Sequence, residues 1–114
     1  MTISELSTLC AKEFPDLVAH VRVVDPRRQR IRIDLLDGTF IDVHQGPQGR
    51  YSYHWERGGD FVRFNNAPHF DEIETAPHHM HVGMKSVQPS AVRGVSTDDV
   101  RLVLQFVQRH LEHT

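Results

Sequence analysis

From residue 17 onward the side chains alternate with a period of two, and that alternation most constrains what this chain can fold into. Val21 and Val23 lie against His20 and Arg22, then Ile31, Ile33 and Leu35 against Arg30, Arg32 and Asp34. Successive residues of a strand point to opposite sides, so the pattern describes half-buried strands with one apolar and one polar face. A turn at Asp25-Pro26 joins the first two, and Asp37-Gly38 has the composition of a type I′ hairpin, leading to a third strand over residues 39–44. Gly46-Pro47-Gln48-Gly49 and Arg57-Gly58-Gly59-Asp60 bracket a fourth strand over 50–56, ahead of a fifth over 61–64. The segment after Asn65 has three prolines and no clear period, apart from a short strand expected at 72–75.

Helices flank the strands. Thr2 and Glu5 form a capping-box pattern, and Ile3, Leu6, Cys10 and Phe14 recur at helical spacing until Pro15. Ser96 with Asp98 and Asp99 opens a last helix striped by Val100, Val103, Leu104, Val107 and Leu111. The expected fold is α+β: an antiparallel meander of five or more strands, with the N-terminal and C-terminal helices packed on one face. The 114 residues are expected to form a single domain. Cys10 has no partner in the chain, and no basic-then-apolar leader or membrane-length apolar run is present. A cytoplasmic protein that makes no membrane contact is expected.

With both helices on one face, the opposite face collects His20, Arg22, Arg30, Arg32, Asp34, Asp42, His44, Ser52, His54, Glu56, Arg63 and Asn65. The plain reading is a solvated sheet face. The chemical reading starts from His54, which alternation separates from the core-side Tyr51, Tyr53 and Trp55. Arg30 and Arg32, with Arg27 and Arg28, form either a solvated hairpin or a clamp that binds phosphate in two-pronged fashion. The formal charge of −2 gives no global attraction to nucleic acid, so a local basic patch would have to supply it.

Nine histidines is several times the ordinary share, and His69, His78, His79 and His81 fall within thirteen positions. His69 and His78 directly follow prolines. If residues 78–81 are extended, His79 and His81 share one side and His78 faces away; in a helical turn His78 and His81 would pair instead. Imidazoles gathered there suit two chemistries. One is a divalent metal such as zinc on His69, His79 and His81, completed by Glu72 or Glu74. The other uses no cofactor: one histidine takes the 2′-hydroxyl proton of RNA, a second protonates the leaving oxygen, and a cation steadies the charged phosphorane. His54 with His79 or His81, helped by Arg63 or Lys85, fits that scheme. A structural role, bonding backbone carbonyls in a loop, competes for each histidine taken singly.

Tyr51-Ser52-Tyr53-His54-Trp55, Arg63-Phe64-Asn65-Asn66-Ala67-Pro68-His69, Ile73-Glu74-Thr75-Ala76-Pro77-His78-His79-Met80-His81-Val82 and Val87-Gln88-Pro89-Ser90, in that order, resemble the signature of the TumE family of toxin–antitoxin toxins. The resemblance covers about the central third of the chain. It implies a toxin neutralised by a protein antitoxin encoded beside it, and loosely a ribonuclease-like activity on RNA. The matching positions are Tyr53, His54, Arg63, Asn66, His69, His78, His79 and His81. We group Tyr53, His54, Arg63, His69, His79 and His81 as catalytic candidates, and Arg30, Arg32, Asn66, His78 and Lys85 as substrate-binding ones. Two positions depart from the family pattern, which tends to have aspartate at Asn65 and histidine at Phe70. A degenerate homologue that only binds its antitoxin is therefore the competing expectation, beside the metal enzyme. Short strand edges also leave room for a homodimer.

Overall fold

A computed structural model describes residues 1–113. Helix α1 (Ile3–Glu13) leads into strands β1 (Val18–Asp25), β2 (Arg30–Leu35) and β3 (Phe40–Gln45). A one-turn 3-10 helix (Pro47–Gly49) precedes β4 (Tyr51–Arg57), β5 (Asp60–Asn65), β6 (His79–Val82) and β7 (Ser86–Pro89), and helix α2 (Thr97–Glu112) closes the chain. All seven strands pair antiparallel in sequence order, so the sheet is an uninterrupted meander.

Both capping boxes form: Thr2 Oγ1 accepts the Glu5 amide and Ser96 Oγ the Asp99 amide, with each acidic side chain reaching back to its cap backbone. The helices cover the apolar face. Leu6, Leu9 and Cys10 of α1 and Val100, Val103, Leu104 and Val107 of α2 join Ile33, Leu35, Ile41, Val43, Tyr51, Tyr53, Trp55, Val62, Phe64 and Met80 in one core. Phe64 meets Phe106 edge to face and Trp55 meets His110, which seats α2 on β4 and β5. A two-pronged Arg101–Glu13 pair, at 2.8 and 2.9 Å, ties α2 to α1.

Three expectations need correcting. Asp37-Gly38 is not a two-residue turn: Leu35 O accepts the Gly38 amide and the Leu35 amide reaches Thr39 O, with only Gly38 at positive φ (90°). That is a three-residue loop, in which a type I turn is relaxed by one left-handed glycine. The pair with both φ values positive is Gly58-Gly59, at 60° and 87°, in the β4–β5 hairpin. Residues 72–75 form no strand; successive turns run through them, from Ile73 N to Phe70 O, Ala76 N to Ile73 O and His78 N to Thr75 O. The strands missing from the expectation are β6 and β7. Their signal was present, since His79 and His81 alternate with Met80 and Val82, but imidazoles stood where alternation usually shows arginine or threonine.

Candidate functional site

Register lines up the polar face. One cross-strand row runs Arg32, Asp42, His54, Arg63, His81, and the next runs Arg30, His44, Ser52, Asn65, His79. Strands lie about 5 Å apart. His54 and His81 thus stand two strands apart, with Arg63 between them.

Each imidazole has a defined setting. His54 Nε2 lies 2.8 Å from Glu56 Oε1, and Arg63 Nε donates to His54 Nδ1 at 3.1 Å. An arginine can only donate, so Nδ1 is the acceptor and the proton sits on Nε2, facing the carboxylate. Phe61 stacks on the ring. His79 is only 1% exposed. Its Nδ1 lies 2.9 Å from Pro77 O and its Nε2 lies 3.1 Å from His81 Nε2. The ring of Phe70, from the loop after β5, covers both, with centroids 4.8 Å from His79 and 5.5 Å from His81. Burial, followed by the neighbouring His79 and Arg63, holds the His81 pKa below the usual histidine value.

His78 points the other way, as an extended backbone requires. It stacks on Tyr51, and its Nδ1–H donates to Tyr51 Oη, whose own proton goes to Val92 O. Burial and then Arg93 lower its pKa. In the unfolded chain both His78 and His81 return to about 6.5. The unfolded state then binds more protons as pH falls, so stability present above that value is lost as pH drops through the folded pKa values. Melting temperature should fall between roughly pH 7.5 and 5. It should fall less steeply in His78→Asn, whose amide keeps a donor toward Tyr51; equal slopes in the two proteins would refute this account.

An open cleft of about 440 Å³ lies beside the histidine rows, lined among others by Arg30, His44, Arg50, Ser52, His54 and Arg63. Its one carboxylate, Asp42, is engaged by Arg32 at 2.8 Å. Among the described residues Arg30, Arg50 and Arg63 make no ion pair. Three guanidinium groups without an ion pair thus concentrate positive charge around one depression in a chain whose net charge is −2.

The structure thus gathers His54, Arg63, Arg30, His79 and His81 on one face, and separates other candidates from them. Tyr53 lies in the core, 1% exposed, with its hydroxyl donating to Gly94 O at 2.7 Å and its pKa pushed far up by burial. Arg32 is taken up by Asp42 and lies over the Phe40 ring, 3.9 Å from its centroid. Lys85 sits exposed in the β6–β7 turn and His69 exposed on the loop after β5. Asn66 lines the cleft while bracing the loop, accepting the Tyr51 amide and donating to Gly49 O. Among the described residues no group of three His, Cys, Asp or Glu side chains is placed to hold a metal ion. His69, His79 and His81, the set considered as an alternative, are not brought together as such a group.

Reasoning on residue types missed Arg50 and Phe70. Arg50 had a signal, since alternation puts it on the side of Ser52 and His54. The contact of Phe70 with two imidazoles comes from loop path alone.

The model of a family described as Toxin TumE matches residues 8–111. No curated protein and no solved structure matches the chain.

Proposed function

The chain belongs to the TumE toxin family, and from that premise we propose that it is the toxin of a toxin–antitoxin pair and acts by cleaving RNA with paired imidazoles. A toxin family implies an antitoxin partner; we take it to be a protein encoded by the neighbouring gene. The observation that carries the RNA reading is the row in which Arg63 stands between His54 and His81, with His54 and Arg63 lining a cleft that also holds unpaired Arg30 and Arg50.

In this scheme a phosphodiester enters the cleft and draws Arg63 off His54. That frees Nδ1 to take a proton from solvent while Nε2–H stays on Glu56. His81, whose environment favours the neutral ring, removes the 2′-hydroxyl proton. The 2′-oxygen then bonds to phosphorus, the bond from phosphorus to the 5′-oxygen breaks, and His54 protonates that oxygen. The products are a 2′,3′-cyclic phosphate and a 5′-hydroxyl end. Arg63, now on the phosphate, stabilises the charge that develops on its oxygens.

Binding tests the cleft directly. With a short single-stranded RNA titrated over a salt series, Arg30→Ala and Arg50→Ala should each weaken binding. Each should flatten the slope of log K against log salt by about 0.7, the value for one lost phosphate contact. Unchanged slopes in both variants would remove the cleft from the RNA reading.

The metal-enzyme reading has no comparable observation. The antitoxin-binding homologue without catalysis draws on Asn65 and Phe70. However, Asn65 Oδ1 accepts the Ala67 amide, a bond an aspartate would also make. Phe70 packs on the imidazoles without occupying a bonding position.

A further inference from the structure

His79 is the most buried polar side chain of the polar face and, like His81, lies beside the cleft rather than in its lining. Its bonds nevertheless decide what its neighbour presents. Pro77 O can only accept, so His79 Nδ1 carries a proton and, in the neutral ring, its Nε2 is a bare lone pair. That lone pair faces His81 Nε2 at 3.1 Å, and a bond there needs the His81 proton on Nε2. The Nδ1 lone pair of His81 is then its remaining acceptor. The ring of Phe70 lies tilted against His79 and edge-on to His81. The titratable groups facing His81 are His79 on its own strand and Arg63 on β5.

We infer that His79 is a positioning residue: the chain of bonds from Pro77 O through His79 to His81 fixes His81 as the Nε2–H tautomer, leaving its Nδ1 as the base that meets the 2′-hydroxyl. The inference rests on the RNA-cleavage reading for the identity of the substrate, but its tautomer content does not. Which nitrogen of a histidine carries the proton is set by the bond the other nitrogen makes. When His81 accepts a proton at Nδ1, its Nε2–H still has His79 to bond, so no group must move as charge appears. This arrangement parallels a carboxylate that orients a catalytic imidazole, with a backbone carbonyl and a second imidazole in the carboxylate's place.

Nitrogen-15 NMR of histidine-labelled protein at alkaline pH tests the tautomers without any activity. The expected spectrum has His79 protonated at Nδ1 and His81 at Nε2. Finding His81 protonated at Nδ1 would overturn the inference whether or not the protein cuts RNA. The second measurement compares cleavage of an RNA oligonucleotide by His79→Gln, whose amide oxygen can accept the His81 proton, and His79→Leu, which has no acceptor. His79→Leu should lower kcat roughly ten- to hundredfold with KM unchanged, and His79→Gln should recover part of that loss. A folded His79→Leu protein with wild-type kcat, or one whose KM alone rises, would overturn the positioning role. If wild-type protein cuts no RNA, the function proposed above fails, and the His81 tautomer in His79→Leu decides the inference. A mixture of the two tautomers is then expected, and an unchanged Nε2–H form would overturn it.

Discussion

A bacterial host induced to make the His54→Ala, His81→Ala double variant should keep growing, whereas the wild-type chain should arrest it and leave its RNA in fragments. Each imidazole is assigned one of the two proton transfers, and a positioned acid or base contributes roughly two to four orders of magnitude. Losing both should bring cleavage to background. The same variant should fold, because both rings lie on the solvent side of the sheet and neither belongs to the core. Their bonds to Glu56, Arg63 and His79 hold the rings in place more than they hold the sheet together. The readout is growth together with total RNA on a gel, with a melting curve of the purified variant. Arrest and fragmentation by both proteins would show that these imidazoles are not the machinery. Normal growth with both would favour the homologue that binds an antitoxin without cutting anything.

The largest expected loss of stability comes from the other face. Leu104→Ala should destabilise the protein by about 2–5 kcal/mol, the range for a fully buried leucine whose cavity closes only in part. Leu104 is completely buried, among the α2 residues that seat the helix on the sheet. Small domains hold only about 5–15 kcal/mol in total, so this change removes a large share. Urea titration followed by the single tryptophan, the core residue Trp55, gives the measurement. The midpoint should drop with the slope m unchanged, because unfolding exposes nearly the same surface. A loss below about 1 kcal/mol would mean that α2 shifts to fill the space, and that the core around it is looser than its burial implies.

The alternation of residues 17–64 was sufficient for five strands, because each hairpin there closes over a few residues and its neighbours are local in sequence. The caps Thr2 and Ser96 marked both helix starts, since a cap is an interaction between residues three apart. Alternation also divided the fourth strand correctly, with His54 on the polar side and Tyr53 in the core, even though the family signature carries both. Likewise His78 and His79 had to face opposite sides once the segment was extended.

Other features depended on contacts the sequence does not encode locally. β6 pairs with β5 across the whole segment 66–78, and only that long-range register puts His81 beside Arg63 and His79 beside Asn65. Which arginines remain free for a ligand was equally invisible, because Arg30 and Arg32 look alike in sequence. Asp42, brought opposite by the β2–β3 register, takes Arg32 and leaves Arg30 open to the cleft. The sequence by itself determined the first five strands, the helix starts and the face each side chain takes within them, since those follow from spacing along one chain. The tertiary structure alone decided which imidazoles share a proton and which cations lack a partner, because hydrogen bonds and ion pairs form between groups that only register and burial bring within reach.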